Sequence, residues 1–490
     1  MTSLWLDNVP ARTYAPFEPG RWFDHVVVGG GLTGVSTALL LARGGDSVAL
    51  LEARTLGAAA TGNTTAKLSL LQGTHLSSIA KKHAADTLRA YVEANRQGQR
   101  WLLDFCADHG IATQHAPAFT YASTRASTAQ IEAELAACRT AGLDAHWAEE
   151  LDLPFPTYGA VRVDDQAQFD PMAVLRGLAD EAERQGAVIV ENTRVLTVNG
   201  DTVRTEHGEI RAGTIVLATG TPILDRGGFF ARLEPNRSYA LAFRVPEPIP
   251  HGMYLSADAP TRSLRYAPRP EGELLLVGGN GHVVGREKQT RAQVDDLVEW
   301  TRTYWPAAEL THSWSAQDYS PMDGLPYVGP LVPGNEHILV ATGYSKWGMT
   351  NGVAAALAIA GRASGRPPEW ARTLEAWRPR ELTGLATALK TNGGVGLAMT
   401  SGWARAELHG DGEKPAEGHG QVRRAGLRPV GTCTVDGKTT AVSAICPHLY
   451  GIVQWNDAEK SWDCPLHGSR FAPDGRVLEG PATQPLAPRE

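Results

Sequence analysis

Cysteine is scarce in this chain, five in 490 residues, too few for a disulfide framework. No apolar run approaches the ~20 residues that a membrane helix needs. Residues 1–20 show no charged segment leading into an apolar core and no twin arginine, so the chain is expected to act in the cytoplasm. Basic residues do not dominate: 46 Lys and Arg against 53 Asp and Glu leave a net charge of −7, with no footprint for nucleic acid and none for a membrane surface. Outside the C-terminal motif no two His and a carboxylate suggest a mononuclear iron. The length fits about three domain-sized units.

What is present is concentrated at the two ends. Near the C-terminus stand Cys446-Pro447-His448 and Cys464-Pro465-Leu466-His467. Each half offers one thiolate and one imidazole. A Rieske 2Fe–2S cluster takes two Cys on one iron and two His on the other. A structural zinc can also take two Cys and two His. Its usual spacing puts Cys with Cys and His with His, whereas mixed halves suit ligands that reach toward different irons. Pro447, Gly451, Pro465 and Gly468 suit two closing loops, Ser469 offers a hydroxyl to a sulfur, and Gly480-Pro481-Ala482 suits a third loop. The segment 422–490 resembles the Rieske family. Many high-potential members carry an extra disulfide beside the cluster; the matching positions here are Gly451 and Leu466, so no bridge can form. Phe471 stands where a Tyr often donates to a ligand sulfur. With fewer such hydrogen bonds, a potential low in the range of roughly −150 to +300 mV is expected.

At the other end, residues 23–53 read as one βαβ unit. A buried strand, His25-Val26-Val27-Val28, runs into Gly29-Gly30-Gly31-Leu32-Thr33-Gly34 and an apolar helix; a second strand, 47–51, ends at Glu52. This is the dinucleotide fingerprint in context. Gly29 permits the turn, Gly31 lets backbone approach the pyrophosphate, and Gly34 lets helix pack on sheet. The helix N-terminus favours phosphate, Glu52 suits the ribose hydroxyls, and Ala53 and Arg54 follow it. A distal strand, 214–218, ends in Ala218-Thr219-Gly220, as a sheet returns to the same cofactor in flavoproteins of the two-dinucleotide type. Ahead of it, Val195 suits an adenine contact. The other glycine-rich run, Leu276 to Gly281, has no apolar helical pattern after it and reads as strand and turn. The expected dinucleotide is therefore FAD, without an NAD(P)H site.

Two further segments, Asp323-Gly324-Leu325-Pro326-Tyr327-Val328-Gly329 and the run 339–350, resemble the D-amino-acid oxidase and glycine oxidase superfamily, over roughly 23–380. In the second, a strand ends at Gly343. Lys346, Trp347, Gly348 and Met349 form a loop, and Thr350 starts an apolar helix aimed at the flavin pyrimidine ring. With its cluster motif the whole chain resembles the subfamily that carries a fused Rieske domain. That resemblance places Thr64, Thr65, Ala66 and Lys67 near the flavin ring. Lys67 either stabilises reduced flavin or stands exposed at a helix start.

The implied fold is an α/β flavoprotein of the two-dinucleotide-binding type with an antiparallel β substrate domain, followed by an all-β Rieske domain. The expected boundaries are 1–400 for the flavin part, 401–421 for a linker and 422–490 for the Rieske domain. Within the flavin part the dinucleotide fold takes 23–112, 166–236 and 318–365, and the substrate domain mainly 113–165 and 237–317. A helical pattern runs over 374–398. For the substrate site, the resemblance points to Arg265 and Tyr266, one of which alternation turns inward and where an Arg could clamp a carboxylate. Trp347 suits a pocket wall. His282 reads equally as a turn residue or a base, Trp314 and Asp318 as core or pocket, and His75 as a conceivable but disfavoured flavin attachment site.

The implied activity is FAD-dependent oxidation of a small molecule at a CH–NH group, with electrons leaving singly through the cluster to a ferredoxin-like or other one-electron carrier. The alternatives are a relay between ferredoxin-like partners, with reverse flow open, and a tailoring oxidase or monooxygenase using the same flavin.

Overall fold

The structure is a computed structural model that describes residues 1–7, 9–10, 12–378, 414–425 and 428–489. Its first strand, Trp22–Val28, ends in four consecutive buried residues. Val27 joins one apolar core while Val26 and Val28 join another. Both faces of the strand are therefore covered, which is why the sequence shows an unbroken apolar run rather than alternation. The parallel neighbours are Val48–Leu51 and Gly208–Leu217, flanked by Val188–Val190 and Ile338–Thr342. An antiparallel edge strand, Tyr327–Pro330, completes the row. The helices Leu32–Arg43 and Gly348–Ala363 pack on one another beside this sheet.

A second sheet of nine strands is mostly antiparallel and holds Leu233–Arg244, Arg262–Ala267, Leu274–Val283 and Glu309–Pro321. It extends past 113–165 and 237–317. Ala160–Phe169 pairs with Thr113–Tyr121, and Lys67–Leu68 pairs with Ala160–Phe169. The pairing of strands so far apart in the chain leaves no local signal. The run Leu276 to Gly281 is wholly strand, without the expected turn.

The C-terminal part is all β, with a three-stranded sheet beginning at Gly420–Ala425 and a four-stranded sheet ending at Val477–Glu479. Its core includes Cys433, Cys446, Trp462, Cys464 and Phe471. Of the expected linker, 401–413 lies outside the described residues. Residues 414–421 already belong to this domain: Glu417 bridges Thr434, and its carboxylate accepts from the Asp436 and Gly437 N–H groups. Residues 379–398 of the expected helix also lie outside the described residues. Residues 375–378 are not helical, and Glu375 bridges Val328 instead.

The C-terminal domain sits directly on the flavin part. Gln317 Nε2 donates to Gly468 O at 2.8 Å, Thr290 Oγ1 to Asn456 Oδ1 at 2.8 Å, and Arg286 Nε to Pro465 O at 3.3 Å. Among the described residues no helix is long and apolar enough to cross a membrane.

Candidate active site and cluster site

A cavity of about 650 Å³ lies between the two large sheets, a size suited to a cofactor or ligand. The glycine turn forms its floor. A Cβ on Gly34 would stand 1.9 Å from Gly29 O, and one on Gly29 would stand 2.5 Å from Ala218 O. Only glycine allows the helix and the strand end to approach so closely. Gly31 caps the helix Leu32–Arg43 without a side-chain bond, and Trp347 does the same for Gly348–Ala363. Both helix starts contribute residues to the cavity wall, so two partial positive charges border it. Glu52 accepts from Gly30 N at 2.7 Å and from Arg54 N at 2.8 Å, which fixes its carboxylate at the cavity edge.

The wall holds Gly29, Gly31, Leu32, Thr33, Glu52, Ala53, Arg54, Thr64, Thr65, Lys67, Val195, Ala218, Thr219 and Gly220, together with Gly343, Lys346, Trp347, Gly348 and Met349. Gly34, Ala66 and Thr350 stand behind it. Ala66 is buried with a left-handed backbone, φ 54°. Thr350 is the third residue of its helix rather than its start, and its hydroxyl donates to Asn95 Oδ1 at 2.5 Å.

Arg265 and Tyr266 are not on the wall. Arg265 is 1% exposed and its guanidinium is spent on main-chain carbonyls: Thr65 O at 2.6 Å, Ala66 O at 3.1 Å and Tyr266 O at 2.9 Å. It braces the loop before Lys67 from behind, so it has no reach for a substrate carboxylate. Tyr266 packs its ring edge-on against His251. His282 lies in a strand, off the wall, with Nε2 3.0 Å from Tyr239 Oη. Trp314 is core and donates to Asn63 O at 2.8 Å.

Lys67 is not an exposed helix-start lysine. It is buried on the cavity wall, and Nζ donates to Tyr254 O and Ser263 Oγ, both at 2.7 Å. Burial, with the neighbouring Arg265 charge, pulls its ammonium down to about 7. Lys346 also lines the cavity, its backbone left-handed at φ 73°, and burial lowers its ammonium too. Asp318 holds that turn by accepting from Lys346 N, and burial pushes its carboxyl up to about 6. His75 lines the same cavity as an imidazole that burial lowers to about 4. Sequence patterns did not single out Gln317, Tyr319 or Ser238, because they face the cavity only through the pairing of distant strands.

The four cluster candidates converge from two loops. The thiols of Cys446 and Cys464 share a hydrogen bond, which holds Cys446 below the usual thiol range and, with burial, raises Cys464. The rings of His448 and His467 stand edge to face, 5.0 Å between centroids. Cys therefore neighbours Cys, and His neighbours His. Among the described residues no three His, Cys, Asp or Glu side chains converge on one point. Such pairing suits a Rieske cluster, in which Cys446 and Cys464 would hold one iron and His448 and His467 the other, better than one tetrahedral zinc. His467 Nδ1 is buried without a partner, and His448 Nε2 is taken by Asp225 at 2.5 Å; one ring nitrogen on each His is thus left for a metal. Peptide N–H groups of His448 and Leu449 and the Ser469 hydroxyl donate to Cys446, and those of Leu466 and His467 to Cys464. A Cβ on Gly451 would lie 2.8 Å from Leu466 and 3.0 Å from Cys464 Sγ. These two residues face each other where a disulfide would sit in a chain that had both cysteines.

The family described as FAD dependent oxidoreductase matches residues 24–362, and the Rieske [2Fe-2S] domain matches 415–489. YhfW of Bacillus subtilis (strain 168), named for a Rieske 2Fe-2S iron-sulfur centre, is 29% identical over 495 residues, covering 99% of this chain and 96% of that one. The fold is similar to glycine oxidase from Geobacillus kaustophilus, with a TM-score of 0.62 at 19% identity over 73% of this chain and 99% of that one. L-proline dehydrogenase from P. horikoshii gives a TM-score of 0.60 at 17% identity, over 74% and 99%. The chain belongs to the FAD-dependent oxidoreductase family and ends in a Rieske domain; its cofactors are FAD and a 2Fe–2S cluster.

Proposed function

We propose that this FAD-dependent oxidoreductase oxidises a small amine or amino-acid-like molecule at a CH–NH group and sends the electrons out singly through its cluster to an external one-electron carrier. Bound FAD accepts a hydride and the cluster accepts single electrons. The observation that carries the reading is Gln317. Its side chain lines the flavin cavity and donates both to Tyr319 Oη and to Gly468 O, the peptide next to the ligand His467. One hydrogen-bonded amide therefore spans from the cavity to the cluster loop.

The chain's own groups supply positioning and charge. The substrate sheet walls the cavity with Ser238, Tyr239, Ser263 and Gly281. Lys346 faces this wall at its Gly281 end: a Cβ on Gly281 would meet its Nζ at 2.7 Å and Ser238 Oγ at 2.9 Å. Ser238 Oγ is buried with no partner of its own. Lys346 and Ser238 together suit a substrate carboxylate, the task that Arg265 does not perform. Lys67 holds an ammonium at the loop of 64–67, where negative charge on the reduced ring would be neutralised. The amino-acid oxidising enzymes among the solved folds, glycine oxidase and L-proline dehydrogenase, support the substrate class.

The test is anaerobic mixing of the holoprotein with a panel of amino acids and amines, followed at the flavin and cluster absorbances. Bleaching of the flavin, then of the cluster, is the expected result. No bleaching by any of them, with rapid reduction by a ferredoxin, would overturn the reading in favour of a relay.

A further inference from the structure

We propose that the cluster domain forms part of the FAD site itself, so that flavin affinity depends on that domain being docked. The inference rests on the FAD site described above and not on the substrate.

The cavity is not closed by the flavin part alone. Leu478, Glu479, Gly480, Ala482 and Thr483, all from the cluster domain, stand on its wall. They approach the end of the cavity that carries Arg54, Arg194 and Val195, the residues next to the acidic end of the second strand and in the segment suited to adenine. Arg194 Nη2 donates across the boundary to Val477 O at 3.1 Å. A Cβ on Gly480 would lie 3.6 Å from Ile223. The loop is held from its own side by the Ser469 hydroxyl, which accepts from Ala482 N at 3.0 Å.

Glu479 is both wall and anchor. Arg470 Nη1 meets it at 3.2 Å and Arg237 Nη1, from the flavin part, at 3.6 Å. Burial raises its carboxyl, but the charges of Arg237, Arg470 and Arg54 carry it below the usual range, so it remains an anion at the cavity. An anion is a poor neighbour for a pyrophosphate and a good acceptor for hydroxyl and amino groups. Leu478 adds an apolar surface beside it. This wall therefore suits the adenosine half of a dinucleotide. The glycine turn at the far side of the fingerprint suits the phosphates.

A ligand that touches both domains stabilises both, by linkage. In the full-length protein with its cluster assembled, FAD is removed reversibly and titrated back. Saturating FAD is expected to raise the temperature at which the cluster's visible spectrum is lost. Leu478→Asp, which puts a second carboxylate into the wall without touching the ionic contacts of Glu479, is expected to weaken FAD binding about tenfold or more, roughly one lost contact, with the cluster EPR signal unchanged. Unaltered FAD affinity in a cluster-replete variant overturns the proposal. So does an unshifted melting temperature in the wild-type protein, which decides alone if the variant assembles no cluster. A wild-type protein that takes up no FAD at all would instead fail the cofactor reading.

Discussion

The Arg237 guanidinium, on a strand of the substrate sheet, grips the Glu459 carboxylate of the cluster domain through both Nε and Nη2. The pair is buried, 3% and 11% exposed at the side chains. Arg470 reaches the same carboxylate at 3.0 Å and Asp463 at 3.0 Å. Burial alone would raise Glu459, yet the charges of Arg237 and Arg470 drive it far below the ordinary carboxylate range. Among the described residues the two domains are therefore joined by a largely buried charge lattice.

Removing one partner from such a lattice leaves a buried charge unpaired. Arg237→Met is expected to cost about 3–5 kcal/mol of docking stability. Limited proteolysis should then release the cluster domain at protease levels that spare the wild type. The pH dependence has a definite sign. Because the folded pKa of Glu459 is depressed, its contribution is complete above the unfolded value of about 4.3 and is lost as pH falls through the folded one. Docking should hold between pH 5 and 7 and loosen only in stronger acid, and small-angle scattering across that range checks it.

Lys67 is expected to control the flavin. Its ammonium is held near 7 by burial and by Arg265, so it is charged below that pH and neutral above. The rate of flavin reduction should fall as pH rises through about 7. Lys67→Met should be slower than the wild type below pH 7, by on the order of tenfold or more, should approach it above that pH, and should lack this limb. Stopped-flow reduction at fixed substrate saturation measures both. A wild-type profile in the variant would remove Lys67 from the reaction.

Gly34→Ala is expected to damage flavin binding without touching the cluster. The new methyl would overlap Gly29 O, an overpacking of about 1–3 kcal/mol. The protein should purify with less FAD and an unchanged cluster EPR signal.

Arg265→Met separates bracing from substrate binding. It leaves the carbonyls of Thr65 and Ala66 without the Arg265 donor, at about 1–3 kcal/mol for each group left unsatisfied, while Tyr266 O keeps the amide of Gln168 at 3.0 Å. The melting temperature should drop. Substrate KM should rise in Lys346→Met instead, with the melting temperature little changed.

Cys464→Ser, read with FAD in saturating excess, is expected to abolish the anisotropic EPR signal of the cluster while the flavin spectrum remains. Persistence of a 2Fe–2S spectrum in that variant would contradict the ligand set.

The parts legible in the sequence were those whose chemistry is local. The glycine turn shows itself because backbone must approach backbone within five residues. The cluster loops show themselves because a metal needs thiolate and imidazole at fixed short spacing, and the identities of Gly451 and Leu466 alone exclude a disulfide between them. The substrate wall was not legible in this way. Arg265 and Ser263 share a strand and a face, yet Ser263 lines the cavity and Arg265 stops behind it. That difference depends on where the loop 64–67 crosses, which no spacing in the strand records.

The sequence by itself determined that a flavin dinucleotide and a 2Fe–2S cluster belong to one chain, because both are held by short motifs whose spacing is dictated by ligand geometry. Only the tertiary structure decided how the two meet. Gln317, Asp225 and Arg237 are ordinary residues in ordinary strands and loops. They acquire a role because strands distant in the chain pair into one sheet and a separate domain seats against it, bringing Gly468, His448 and Glu459 within reach. Contacts between distant parts of a chain are paid for by burial across the whole interface, and burial of that kind has no local sequence signature.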